Sequence, residues 1–283
     1  MLKISIISFP GLGIPEFKIN SVALNIFGLE IAWYGLIITI GMILACAYVL
    51  YRAKQNNIIA DDIIDLAIFL IPIGIIGARL YYFLTSLDSY DSFWDVFKIW
   101  EGGLGIYGGI IAGAITICVF CRIKKYNILM FLDMVSPAVM IGQILGRFGN
   151  FMNAEAYGSE TSLPWRMGIQ RTFQGTPIGE AIYVHPTFIY ESLWNLIGFV
   201  IINCCYKRKK FNGQIFYMYF AWYGFGRMFI ELLRSDSLYI CSYHAWWTKI
   251  SVIVGFVFFV TFTTLLIINL VKYRKNRPTQ EDI

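Results

Sequence analysis

Arginine and glutamate are costly inside a membrane, yet this chain sets both into long apolar stretches. In WYGFGRMFIELLRSD (222–236), Tyr223, Arg227 and Glu231 recur at i, i+4 and i+8, which puts them along one stripe of a helix. A guanidinium and a carboxylate one turn apart either neutralise each other as a structural pair or form a charged site wall in which Glu231 orients Arg227. In GRFGNFMNAEAYG (146–158), Arg147 and Asn150 are three apart and share a face if the helix continues. Gly146 and Gly149 permit tight backbone geometry where the chain leaves the fourth apolar segment. A guanidinium beside an amide and loop N–H groups suits a phosphate oxyanion; an arginine at a helix end also snorkels to headgroups. HPTFIYE (185–191) opens another helix: Pro186 suits its first turn and Glu191 lies near the positive end of its dipole. His185, at that entry, is either a structural hydrogen-bonder or a base, in a chain with only two histidines.

Three further polar residues stand near the same ends of apolar segments: Arg79, Tyr107 and Tyr34. Tyr107 carries its hydroxyl in an otherwise apolar run and is expected to find a partner there. In WEGGLGIYGGIIAGA (100–114), Gly105, Gly109 and Gly113 repeat at i, i+4 and i+8, the pattern of close helix packing through small residues. The second histidine, His244, falls in YHAWW, which reads as an interfacial aromatic belt.

These residues need elements to hold them. The 283-residue chain is 58% hydrophobic and only 14% charged. A soluble domain carries about 25% charged residues, so lipid is the expected solvent for much of this one. Spanning a bilayer takes roughly 20 apolar residues. Seven candidate spans follow: about 33–51, 63–84, 103–121, 128–146, 186–206, 214–233 and 248–271. The second is interrupted by Pro72 and Arg79. The start, MLKISIISFPGLGIPEF, is broken by Pro10, Gly11, Gly13 and Pro15 and does not read as a cleavable signal peptide.

The net charge of +5 might suggest nucleic acid, but the basic residues sit in short runs beside apolar segments, which is membrane topology rather than a nucleic-acid surface. Arg52 and Lys54; Arg122, Lys124 and Lys125; Lys207 to Lys210; and Lys272, Arg274, Lys275 and Arg277 crowd one set of connections. That set is expected to be cytoplasmic, with the N-terminus outside and the C-terminus inside. The polar residues above then gather near the outer side. The expected fold is an all-α integral membrane protein, a single bundle of about seven helices over 1–283, with a small extracytoplasmic insertion at 147–185 between helices 4 and 5. The tail RKNRPTQEDI reads as disordered. Cys46, Cys118, Cys121, Cys204 and Cys205 lie in apolar segments or at their basic ends, and Cys241 in an outer loop. Their spacing suggests neither a disulfide framework nor zinc.

Together, these stretches resemble the prolipoprotein diacylglyceryl transferase family. GRFGNFMNAEAYG is similar to its signature G-R-x-G-N-F-x-N-x-E. AWYGL (32–36), GARL (77–80), WEGGLGIYGG (100–109), HPTFIYE and YGFGRMFIELLRSD (223–236) join it in the expected order, over nearly the whole chain. The resemblance implies a multi-pass enzyme of the bacterial cytoplasmic membrane, with its site toward the outer leaflet. Such an enzyme transfers the diacylglyceryl group of phosphatidylglycerol to the lipobox cysteine of a prolipoprotein signal peptide, releasing glycerol 1-phosphate; its partners are membrane lipid and that peptide. By motif position, Arg147, Asn150 and Glu155 match the signature polar residues, Arg227 the second essential arginine, with Tyr223 and Glu231 beside it, and Tyr34 the first-helix tyrosine. Arg79, Glu191 and Arg234 join Tyr34, Asn150, Glu155 and Tyr223 as substrate-binding candidates. Many members carry a histidine, proposed as catalytic, where this chain has Tyr107.

The substrate thiol supplies the nucleophile in such a reaction, so the protein must hold the phosphate and help remove the thiol proton. Arg147 and Arg227 are the expected phosphate holders and stabilisers of the leaving group; His185, Tyr107 and Glu231 are the candidate bases. Two other readings fit the same residues. A transporter would need polar residues through the bilayer or helices broken at its midplane, and a scaffold would use the arginines only to hold headgroups. No cofactor or metal is expected, since the sequence holds no ligand cluster. Activity should therefore survive EDTA unchanged; abolition by EDTA with rescue by one divalent metal would refute this.

Overall fold

The computed structural model describes residues 4–87, 92–98, 102–173, 176–235, 237, 239 and 245–276. Cys241, His244 and most of the C-terminal tail lie outside the described residues. The apolar runs form α1 (Trp33–Gln55), α2 (Ala60–Thr85), α3 (Ile106–Lys124), α4 (Ile128–Met152), α5 (Thr187–Tyr206), α6 (Gln214–Leu233) and α7 (Ile250–Lys275). All except α6 are long and apolar enough to cross a membrane. α6 has the length, at 20 residues, but tyrosines, a tryptophan, Arg227 and Glu231 dilute it. The chain is thus a mostly helical, multi-pass membrane protein. α2 runs unbroken through Pro72. α4 continues past Gly146 to Met152, so the fourth span does not end where its hydropathy falls.

The all-α expectation holds for the bundle and not for the segments beside it. The N-terminal residues form β1 (Ile4–Phe9), β2 (Ile14–Asn20), β3 (Val22–Ile26) and β4 (Leu29–Ala32), and the connection after α4 forms β5 (Met167–Phe173) and β6 (Thr176–Val184). β2-β1-β5-β6 make one antiparallel sheet, with Ile7 opposite both Phe17 and Ile169. β3 and β4 make a hairpin whose turn residues, Phe27 and Gly28, both have positive φ (50° and 87°). Such φ values at both turn positions match the twist of the flanking strands. The short strands carry no periodicity that marks them in the sequence, and the pairing that joins the two halves of the sheet, β1 with β5, links residues some 160 apart.

Two compact units make up the chain, Met1–Ala45 with Val135–Ile283, and Cys46–Met134. In the first, the sheet lays Ile7, Phe9, Ile19, Met167, Ile169 and Val184 on Phe188 of α5 and on Phe151 and Met152 of α4. The end of α4 and the start of α5 are therefore held by a packed apolar layer. α1 lies along α4 through small residues: a Cβ on Gly149 would stand 2.7 Å from the Tyr34 ring, and one on Gly146 3.5 Å from Ile38. Gly146 and Gly149 have helical backbones, so close approach, not a turn, is what they provide. In the second unit α2 and α3 meet in the same way. A Cβ on Gly108 would collide with the Gly77 carbonyl oxygen, one on Gly109 would crowd the Gly74 carbonyl oxygen at 3.3 Å, and Gly113 faces Leu70 of α2 at an ordinary contact distance.

α5 and α6 are joined by a reciprocal pair of tryptophans. Trp194 Nε1 donates to the Trp222 carbonyl and Trp222 Nε1 to the Trp194 carbonyl, each at 3.0 Å, and the rings stack 4.2 Å apart. Each indole covers a glycine of the other helix. A Cβ on Gly226 would come within 2.0 Å of Trp194 Nε1, and one on Gly198 within 2.3 Å of Trp222 Nε1. Gly226→Val is expected to lose about 1–3 kcal/mol through overpacking, read as a lower unfolding temperature in detergent. An unchanged temperature would refute this account of the helix pair.

Candidate active site

Three helix ends converge beside the sheet. The last turns of α4 carry Arg147 and Asn150, the first turns of α5 carry Glu191, and the last turns of α6 carry Arg227 and Glu231. Glu191 joins them. Its Oε1 accepts from Arg147 Nη2 at 2.6 Å, and its Oε2 accepts from Arg227 Nη1 at 2.8 Å. Arg227 Nη2 also stands 2.6 Å from Glu231 Oε2, but off the hydrogen-bonding direction, so that contact is an ion pair rather than an aligned hydrogen bond. The side chains of Glu191 and Glu231 are 5% and 3% exposed, and those of Arg147 and Arg227 17% and 14%. Buried charges persist only when paired and hydrogen-bonded, and here two guanidiniums balance two carboxylates.

The Asn150 amide links Arg147 to Glu155. Asn150 Oδ1 accepts from Arg147 Nη1 at 3.4 Å, while the Asn150 and Asn153 amides both donate to Glu155 Oε1, at 3.0 and 3.1 Å. The chain reverses tightly to bring Glu155 back. Ala154 and Ala156, on either side of it, have φ of 48° and 56°, a left-handed conformation that costs about 1–2 kcal/mol per non-glycine residue. Backbone bonds hold the reversal: Glu155 N–H donates to the Asn150 carbonyl at 3.1 Å and Thr187 Oγ1 to the Ala156 carbonyl at 2.7 Å. Past it, Ser159 N–H donates to the Leu233 carbonyl and His185 N–H to the Ser159 carbonyl. These bonds tie the starts and ends of α4, α5 and α6 to one loop.

A guanidinium has five N–H donors. The contacts above use two on each arginine, so both keep donors for an anion. A pair of such groups, held side by side and shielded from water, suits a phosphate or phosphodiester.

The model of the prolipoprotein diacylglyceryl transferase family matches residues 21–268. The chain belongs to this family. Curated relatives named phosphatidylglycerol–prolipoprotein diacylglyceryl transferase include one from Finegoldia magna, 45% identical over 223 residues, which cover 78% of this chain and 86% of that protein. One from Streptococcus pneumoniae is 43% identical over 231 residues, 79% of this chain and 86% of that protein. One from Clostridium perfringens is 39% identical over 225 residues, with 79% and 86% covered.

Of the residues singled out in the sequence, Arg147, Asn150, Glu155, Glu191, Arg227 and Glu231 form one connected network. Tyr34 packs its ring on Gly149 and feels the charges of Glu155 and Arg147. Tyr223, one turn from Arg227, stacks on Tyr219 with centroids 6.0 Å apart. His185 is bonded elsewhere: its Nδ1 lies 3.3 Å from the Tyr190 hydroxyl, which accepts from Trp165 Nε1 at 2.7 Å. Burial lowers the His185 pKa below its ordinary value, so the ring is neutral at pH 7. Arg234 ends α6, and its backbone bridges to Gly158. Arg79 and Tyr107 belong to the second unit. There Arg79 donates to the carbonyls of Val96, Lys98, Gly102 and Gly103, clamping the loop before α3, and Tyr107 lies 6.0 Å from the Tyr81 ring.

The structure adds Lys249, which the sequence reading passed over. It is 6% exposed, and its Nζ donates to the carbonyls of Glu231 and Arg234, each at 2.9 Å. A cation on the last carbonyls of α6 answers the negative end of that helix. Its position just before an apolar run was the one available sign. Gln143 and Asn195 were also missed, since only ionisable residues were weighed inside the spans.

Glu191→Gln removes the buried charge that two half-buried arginines share. Breaking a buried pair costs about 3–5 kcal/mol, so this variant is expected to unfold at a clearly lower temperature than Glu191→Asp. Thermal unfolding in nanodiscs checks this, and equal midpoints for the two variants would refute it.

Proposed function

We propose that this protein transfers the diacylglyceryl group of phosphatidylglycerol to the thiol of the lipobox cysteine in a prolipoprotein, the first step of bacterial lipoprotein maturation. Family membership and the names of the relatives support the reaction and its two substrates. The observation that carries the site assignment is the Glu191 carboxylate shared by Arg147 and Arg227.

The thiol sulfur attacks the glycerol carbon that bears the phosphate. A sulfur–carbon bond forms, the carbon–oxygen bond breaks, and its electron pair leaves on glycerol 1-phosphate. The thiol proton passes to a base or to the departing phosphate. Arg147 and Arg227 bind the phosphodiester through their remaining N–H groups and stabilise the charge that grows on its oxygen. Glu191 is the positioning residue that keeps the two guanidiniums side by side. Asn150 and Glu155 fix Arg147, Glu231 fixes Arg227, and Tyr34 and Tyr223 form the adjoining walls, with Arg234 at the mouth; the Arg79 guanidinium is taken up by backbone carbonyls of its own unit. A free thiol titrates near 8.5, so at neutral pH its proton has to be removed as the sulfur attacks. The candidate bases are His185, whose neutral ring can accept a proton, Tyr107 and Glu231. The carboxylate of Glu231 is already committed to Arg227.

The protein is placed in the bacterial cytoplasmic membrane with its site toward the outer leaflet. Basic residues at the last turns of α1, α3 and α7 support this orientation, as does Lys207 to Lys210 after α5. Positive charge of this density marks the cytoplasmic ends of spans. The N-terminus is then outside, the C-terminus inside, and the sheet and loop near residues 147–185 form an extracytoplasmic cap.

The deciding experiment combines purified protein, phosphatidylglycerol and a lipobox peptide and weighs the peptide. A gain of one diacylglyceryl unit is expected, and none with an acceptor Cys→Ser peptide. Arg147 uses two guanidinium nitrogens at once, toward Glu191 and Asn150, which a single ammonium cannot reproduce. Arg147→Lys should therefore lose most of the transfer, and near-normal transfer by it would refute the phosphate-holding role.

A further inference from the structure

One level deeper in the bundle, away from the sheet, a second set of polar groups faces the same way as the charged network. Gln143 lies four residues before Arg147 on α4, Asn195 four after Glu191 on α5, and Tyr219 eight before Arg227 on α6. Residues four apart share a helix face, and four residues of α-helix rise about 6 Å. Arg147, Glu191 and Arg227 touch, so the faces carrying Gln143, Asn195 and Tyr219 converge below them. The Gln143 amide is bonded to the Tyr219 hydroxyl at 3.0 Å.

Two of these side chains have amide atoms without a partner. Asn195 is 0% exposed, and neither its Oδ1 nor its Nδ2 has a hydrogen-bond partner. One end of the Gln143 amide is buried without a partner as well; whichever way that amide is turned, one end meets Tyr219 and the other does not. Buried amides are nearly always satisfied, because leaving one bare forfeits its hydration with no return. In a membrane span, where water is scarce, the expectation is stronger. A fully buried, unpartnered amide just below a phosphate-holding pair points to a ligand that is polar there and apolar beyond it.

A phospholipid has that profile. Moving from phosphate toward hydrocarbon, the next polar groups are the two ester carbonyls on the glycerol, which accept hydrogen bonds and cannot donate them. We propose that Asn195 Nδ2 donates to an ester carbonyl of the bound lipid, with the free end of the Gln143 amide as a second donor, so that the site selects diacyl over dialkyl glycerophospholipids. This rests on the transferase reading above and deepens it. The phosphate is held by charge at the top of the pocket, and the ester level by neutral amides one turn below. The amides add no charge to the apolar interior, and they fix how deep the glycerol sits, hence where its phosphate-bearing carbon stands for attack.

The test uses purified protein, a lipobox peptide and two lipids of matched chain length, diacyl phosphatidylglycerol and its dialkyl ether analogue, which lacks both carbonyls. Transfer is read by peptide mass over time. Wild-type protein is expected to favour the diacyl lipid by roughly ten-fold or more, since each lost hydrogen bond is worth about 2- to 10-fold. In Asn195→Leu the diacyl-to-dialkyl ratio should fall toward one. Gln143→Leu should lower it in part, and Asn195→Ser, a smaller change that serves if the leucine variant does not fold, should lower it as well. Equal transfer from both lipids by the wild type would overturn the inference. So would variants that slow both lipids by the same factor, the outcome expected if the amides only hold a structural water. In either case diacylglyceryl transfer itself would stand. No transfer from the diacyl lipid by the wild type would instead overturn the transferase reading, and this inference with it.

Discussion

One carboxylate shared by two arginines is the constraint on which the rest of the molecule depends. Alone, Arg147 and Arg227 would repel each other and pay the full cost of leaving water. With one oxygen of Glu191 on each, at 2.6 and 2.8 Å, they become neighbours in a poorly hydrated site. Glu231 balances the second charge. The cluster is close to neutral as a whole, yet both guanidiniums keep N–H groups unspent. That combination allows an anion to be bound without a standing excess of buried positive charge.

Much of the surrounding fold serves to bring three helix ends to that carboxylate. The four-stranded sheet packs Ile7, Ile169 and Val184 onto the end of α4 and the start of α5. The reversal at Ala154–Ala156 spends backbone strain to return Glu155 to Asn150, and so to Arg147. Lys249 closes the end of α6, and the stacked Trp194–Trp222 pair sets α5 against α6 deeper in the bundle. These parts differ in chemistry, but each removes a freedom that would let Glu191 lose one arginine. The polar groups also do not stop at the charged level, since Gln143, Asn195 and Tyr219 continue them inward as neutral amides and a hydroxyl.

A good deal of this was legible from local patterns. The seven helices follow from runs of apolar residues, and the i, i+4, i+8 spacing of Tyr223, Arg227 and Glu231 anticipated the one-turn ion pair. The glycines before and within α3 were read as packing residues, and Gly109 and Gly113 do face α2. The family was legible because its motifs are short, ordered and carried on consecutive segments. The strands were not legible. β1 pairs with β5 across the whole of the first four helices, and short segments such as Ile4–Phe9 carry no periodicity that separates them from a loop. Gly146 and Gly149 were read as permitting tight backbone geometry, whereas they make room for α1; a glycine in sequence does not say whether it frees the backbone or makes room for a neighbour such as Tyr34.

What the sequence alone determined is what depends on neighbours in the chain: span lengths, which ends of the spans are basic, and which residues fall on one helical face. What only the tertiary structure decided is which of those faces meet. Nothing local to HPTFIYE says that Glu191 takes both arginines, and nothing local to GARL says that Arg79 closes on the carbonyls before α3. Those choices are made by packing between segments far apart in the chain, where a single partner at hydrogen-bond distance outweighs any preference a residue carries by itself.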